Sequence, residues 1–138
     1  MAGMIAERKL ESLMRCIARV RDRCPPGVED LMRDIDAQDI LSLNLTRAVQ
    51  LCVDIGAQRL SQTSGATPGT MGQTFTELSA QGIIPADLAE RMRRAVGFRN
   101  VAIHEYDEID WQIVHAIATR HLTDFEAFAR VMACDLTD

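Results

Sequence analysis

Apolar residues recur along most of this chain at steps of three and four, the spacing of one helical face. Leu10, Leu13, Ile17, Val20 and Cys24 form the first such stripe. They predict a helix from about Met4 to Arg23, stopped by Pro25-Pro26-Gly27. A short acidic helical piece, Val28 to Ile35, follows. The next long helix spans about Asp36 to Leu60. Turned at about 100° per residue, it places Leu41, Leu45, Ala48, Cys52 and Ile55 on one core-facing side. Its other side mixes Ile40, Leu43 and Leu51 with Asn44, Arg47, Asp54 and Gln58. Three large aliphatics on an otherwise polar side predict a second contact, to a partner subunit or to a site. Ser61 to Gln73, rich in Ser, Thr and Gly, reads as a loop. Thr70 to Gln81 reads as a modest helix ended by Gly82, and Pro85 opens another. That helix carries Leu88, Met92 and Val96 on its apolar side, with Gly97 near its end. The last helix is expected from about Asp110 to Ala133, capped by Asp107 or Asp110. Its stripe is Trp111, Val114, Ala118, Leu122, Phe125, Ala129 and Met132. No two-residue alternation bounded by hairpin turns appears. The fold class is all-α: an antiparallel bundle of about four main helices plus a short one.

A length of 138 residues predicts one domain, over 1–138. A hydrophobic fraction of 47% excludes disorder as the main state. No apolar run approaches the roughly 18 residues of a membrane span. Glu7, Arg8 and Lys9 stand where a signal peptide needs an apolar stretch, so a cytoplasmic protein is expected. The net charge of −5 excludes a protein that coats nucleic acid by charge alone, but leaves room for a local basic site. Lys9 is the single lysine, and every other basic residue is arginine, which suits forked recognition of phosphate. Cys16, Cys24, Cys52 and Cys134 lack metal-ligand spacing and read as reduced thiols used as small apolar residues. Gly65, Gly69 and Gly72 are not a phosphate loop, because no Gly-Lys-Ser/Thr follows and no strand precedes.

Between the last two helices lies Phe98-Arg99-Asn100-Val101-Ala102-Ile103-His104-Glu105-Tyr106, expected at an inter-helix junction. By residue type alone it reads either as a surface segment or as part of a site. Arg91, Arg93 and Arg94 on the preceding helix either track a nucleic-acid backbone beside Arg99 or form a solvated face. His115 is expected to be exposed, and His121 to sit in the core or an interface. Glu105, Asp107, Glu108 and Asp110 are read as capping and solvation, not metal binding.

Arg99-x4-His104-x-Tyr106 resembles the Arg-x4-6-His ribonuclease motif of the HEPN superfamily, in the HepT-like (DUF86) branch that adds the tyrosine. The segment from Leu43 to Ile55 is similar to that family's second helix, and Phe98-Arg99-Asn100 before the histidine also matches. The family helix often continues to a histidine where this chain has Gln58 and Arg59. The resemblance implies a HEPN fold and a metal-independent RNase toxin, without cofactor, acting as a symmetric homodimer. It also implies a partner, a nucleotidyltransferase antitoxin of the MntA type, which transfers AMP to the motif tyrosine, here Tyr106.

The residue chemistry agrees with that expectation. RNA is cut when its 2′-hydroxyl is deprotonated and attacks the adjacent phosphorus. The step needs a base, an acid for the leaving 5′-oxygen, and a cation for the phosphorane. His104 suits either proton role, and Arg99 holds two phosphate oxygens at once. One motif histidine per chain is short of the acid and base required, and a twofold dimer supplies the second. The mixed side of the second helix is the candidate dimer contact, with Asn44, Arg47 and Asp54 near the cleft and Asp54 orienting a motif side chain. The alternatives are a HEPN module that binds nucleotide or protein without cutting RNA, and a helical interaction protein with no nucleotide at all.

Overall fold

In the computed structural model, which describes residues 2–63, 65 and 67–137, the predicted spacings become helices. They are α1 (Ala2–Arg23), α2 (Val28–Arg33), α3 (Ile35–Thr63), α4 (Met71–Ala80) and α5 (Ala86–His104). After a 3₁₀ turn at Tyr106–Glu108 comes α6 (Trp111–Ala116), which runs through a π-helical turn, Ile117–His121, into α7 (Leu122–Thr137). The described residues contain no strand. Within the expected loop, Ser61 to Thr63 continue α3, and Ser64 and Ala66 lie outside the described residues.

The helix ends follow from local chemistry. Asp34 Oδ1 accepts from the amide of Ala37, so α3 is capped two residues before the expected Asp36 start. Thr70 caps α4 through the amide of Gln73, and Asp110 caps α6 through that of Gln112. Gly82 ends α4 at φ +73°, where other side chains are strained. The amide of Ile83 returns to the carbonyl of Leu78, and that of Gly82 to Ser79, which together close a Schellman turn.

α3 lies at the centre, packed against α1, α4, α5 and α7. Its expected core side, Leu41, Leu45, Ala48, Cys52 and Ile55, is buried. Because neighbours flank it on several sides, Val49, Val53 and Leu60 are buried too. Each such side chain removed from water stabilises the bundle by about 1.5–3 kcal/mol. Gly56 marks the closest approach of α3 to α4: a Cβ there would stand 2.8 Å from Thr74 Cγ2. Among the described residues α3 is the one helix long and apolar enough to cross a membrane, contrary to the run-length reading, and most of its apolar window is buried inside the bundle.

His115 is not exposed as expected, and His121 does not lie in the core. His115 is half-buried, with Nε2 3.0 Å from the carbonyl of Pro25. The Pro-Pro turn leaves that carbonyl without a helical partner, and the imidazole fills the gap. His121 points to the same side as Phe128, two helical turns on. Phe128 packs edge-on against Phe75 at 5.6 Å. At the level of His121 the helices leave a cavity of about 240 Å³ lined by Phe98, Ile113, Ile117 and Phe125. His121 therefore stays exposed, 3.6 Å from Asp124.

Candidate active site

The Arg99–Tyr106 segment is not an inter-helix junction. α5 continues through Gly97, because Val96 and Ala102 still have a core to enter, and it ends at His104. Arg99 thus sits in the penultimate helical turn, His104 is the last helical residue, and Tyr106 opens the 3₁₀ turn.

Arg99 is half-buried against α3. Its Nη2 donates to Gln50 Oε1 at 3.3 Å and its Nη1 to Asn100 Oδ1 at 3.1 Å. Its buried Nε has no acceptor. Both partners are neutral amides, and among the described residues no carboxylate pairs with this guanidinium. Its full charge remains available, an arrangement that costs stability and is typical of sites that receive an anion. Asn100 and His104 are one turn apart on the same side of α5. The bond to Asn100 therefore draws the guanidinium to the side on which His104 stands exposed.

Gln50 is itself oriented. Its Nε2 donates to Asp54 Oδ1 at 3.0 Å, and Lys9 Nζ from α1 holds Asp54 Oδ2 at 3.3 Å. A carboxylate only accepts, so Asp54 fixes the amide with its carbonyl turned towards Arg99. Asp54 acts on the motif arginine through Gln50 and not directly. Asn44 is buried and donates to the carbonyl of Ile40 on its own helix at 2.8 Å. Arg47 is exposed and lies with Arg15, Arg19 and Cys16 in a groove of about 440 Å³ between α1 and α3. Burial raises the Cys16 thiol above its ordinary value, and the three guanidinium groups pull it back. Neither Asn44 nor Arg47 bonds to the motif. Gln50, which lines this groove too, connects it with Arg99.

Tyr106 Oη donates to Asp39 Oδ1 at 2.7 Å, and its ring meets Trp111 edge-on at 6.0 Å. Burial first, then the bond to Asp39, hold the phenol above its ordinary value, while a hydrogen bond from Ser42 pulls the other way. Leu43, on the same side of α3, is 50% exposed, and Ile40 and Leu51 are half-buried.

The arginines upstream are engaged elsewhere. Arg91 pairs with Asp124 at 2.8 Å and Asp87 at 3.3 Å, and Arg94 with Glu90 at 3.0 Å. Arg93 donates to Thr76 on α4. Among the described residues no cluster of His, Cys, Asp and Glu is arranged to hold a metal ion. Sequence reasoning missed Gln50 and Asp39. A helical wheel carries the signal, because Asp39, Gln50 and Asp54 fall on one side of α3.

Comparison with known proteins adds four findings. The family model described as ribonuclease HepT-like matches residues 13–132. The mRNA nuclease HepT of Shewanella oneidensis is 32% identical over 127 residues, covering 92% of this chain and 95% of that protein. The tRNA nuclease HepT of Aphanizomenon flos-aquae is 26% identical over the same length, covering 92% of this chain and 86% of that one. Among solved structures, the tri-AMPylated HEPN toxin of Shewanella oneidensis in complex with an MNT antitoxin superposes with a TM-score of 0.88 at 32% identity, over 94% of this chain and 97% of that one.

Proposed function

The chain belongs to the HepT-like ribonuclease family, and we propose on that premise how its residues do the work. It is an endoribonuclease toxin that cuts RNA without a metal ion and is neutralised when a nucleotidyltransferase antitoxin attaches AMP to Tyr106. The chain forms a single HEPN domain over 1–138 and acts in the cytoplasm. The observation that carries the reading is Arg99: a half-buried guanidinium held only by neutral amides, one of them Asn100, which shares a side of α5 with the exposed His104.

Arg99 grips the non-bridging oxygens of the scissile phosphate and neutralises the charge gained in the phosphorane. One His104 takes the proton of the 2′-hydroxyl. A second His104, from the partner subunit of a homodimer, gives a proton to the leaving 5′-oxygen. Gln50 and Asp54 are positioning residues that keep the guanidinium aimed. The open strip of α3 around Leu43 and Leu51 is the dimer contact, with Arg47 and Asn44 beside the cleft.

Purified protein should cleave RNA in excess EDTA and leave 2′,3′-cyclic phosphate ends. Activity that vanishes with EDTA and returns with a divalent ion overturns the metal-free chemistry, and 3′-hydroxyl ends overturn attack by the 2′-oxygen. Sedimentation at the assay concentration should show a dimer, and replacing Leu43 with Asp should dissociate it and silence cleavage together. A fully active monomer at micromolar concentration removes the two-histidine arrangement.

A further inference from the structure

The bond between Tyr106 and Asp39 spans 67 residues of sequence and joins two exposed side chains. Water would serve either group as well, so the bond contributes little to stability. Asp39 pairs with no cation among the described residues, and the phenol is its one hydrogen-bond partner there. Trp111 holds the ring edge-on, and Ser42 is the second polar group at the phenol oxygen. Asp39 is the charged group in contact with the phenol. A carboxylate therefore stands 2.7 Å from the one tyrosine hydroxyl of the chain, on the atom that the proposed modification must use as nucleophile.

Resting on the reading of Tyr106 as the AMP acceptor, we propose that Asp39 is the general base for its modification. A neutral phenol is a weak nucleophile near pH 7, and a positioned base removes its proton as the new bond forms. Tyr106 Oη attacks the α-phosphorus of a nucleoside triphosphate carried by the antitoxin. The Oη–P bond forms, and the bond from the α-phosphorus to the oxygen bridging to the β-phosphorus breaks. Pyrophosphate leaves with that electron pair, and the phenolic proton passes to Asp39 Oδ1 and then to water. The toxin thus supplies both the acceptor and the base, and the partner supplies the activated nucleotide.

The test uses the full chain, its nucleotidyltransferase partner, ATP and Mg²⁺, with AMP incorporation followed by intact mass. Asp39→Asn should lower the rate of the first transfer by about 100-fold or more, with KM for ATP unchanged within about twofold. Its rate should climb about tenfold per pH unit above pH 7 as solvent takes over the deprotonation, whereas the wild type stays flat. Asp39→Glu should recover part of the loss. RNA cleavage by unmodified Asp39→Asn should stay within about threefold of wild type. Transfer to Asp39→Asn at the wild-type rate and pH profile overturns the assignment, as does a loss traced to failed binding of the antitoxin. If Tyr106→Phe accepts AMP as well as wild type, the acceptor reading itself fails. If Tyr106→Phe is silent while Asp39→Asn is normal, only the role of Asp39 is lost.

Discussion

Alanine at Arg99 or at His104 is expected to lower RNA cleavage by about 100-fold or more, the usual cost of removing a transition-state contact. The two substitutions act on different parts of one step. Without Arg99 the phosphorane loses the cation that matches its new charge, and the arginines of the preceding helical turns do not replace it, because Arg91 and Arg94 are paired with carboxylates and Arg93 is held by Thr76. Without His104 a proton must come from or go to water. Neither change should unfold the protein. Arg99 bonds only to the amides of Gln50 and Asn100, and its buried Nε is already without an acceptor. His104 is exposed at a helix end. Arg99→Lys keeps the charge and loses the fork, so it should recover only part of the activity. Rates on a defined RNA, read beside thermal melts, decide the matter. Either alanine variant cleaving within about threefold of wild type removes that residue from the chemistry.

Tyr106→Phe should leave cleavage nearly intact and abolish neutralisation. The lost hydroxyl contributes one bond to an exposed carboxylate, worth little to the fold. The proton transfers assigned to His104 do not use the phenol. AMP on the wild-type residue brings a negative phosphodiester and a bulky nucleoside to the end of α5. Its charge competes with substrate phosphate for Arg99. At about 4 Å and a surface-like dielectric such a pair is worth up to about 4 kcal/mol, and a third of that weakens substrate binding about tenfold. The phosphodiester also cannot stay where the phenol is, because Asp39 repels it at that distance. Intact mass of the co-expressed pair should show AMP increments on wild type and none on Tyr106→Phe, and cells carrying the variant should be poisoned despite the antitoxin. A Tyr106→Phe toxin that is still neutralised as well as wild type shifts the regulation to complex formation or to another residue.

The helices were legible because each carries an unbroken stripe and clear punctuation. The Pro-Pro-Gly stop, Thr70, Gly82 and Asp110 each do the local job their residue type predicts. The end of α5 was misread because Gly97 resembles a terminus, whereas the core beyond it, filled by Ala102, keeps the helix going. Helical spacing gives the direction of a side chain but not what stands opposite. The direction of His121 predicts the core or an interface, whereas within the chain it lines an open cavity and stays exposed. The motif residues Arg99, His104 and Tyr106 were legible as types at a spacing. Their partners were not. Gln50 and Asp39 are ordinary polar residues, 49 and 67 positions from Arg99 and Tyr106, and only the packing of α3 on α5 brings them there.

The chain that runs from Lys9 through Asp54 and Gln50 to Arg99 begins at the only lysine in the sequence. An amine-directed reagent consequently has a single side chain to label, and that side chain is the outermost link of the network behind the guanidinium. A methyl isotope tag placed on Lys9 by reductive methylation keeps the ammonium charge that holds Asp54 and becomes a spectroscopic gauge of this network. In a homodimer Lys9 contributes one symmetric pair of such tags beside the α-amines, and its signal can be followed as RNA enters.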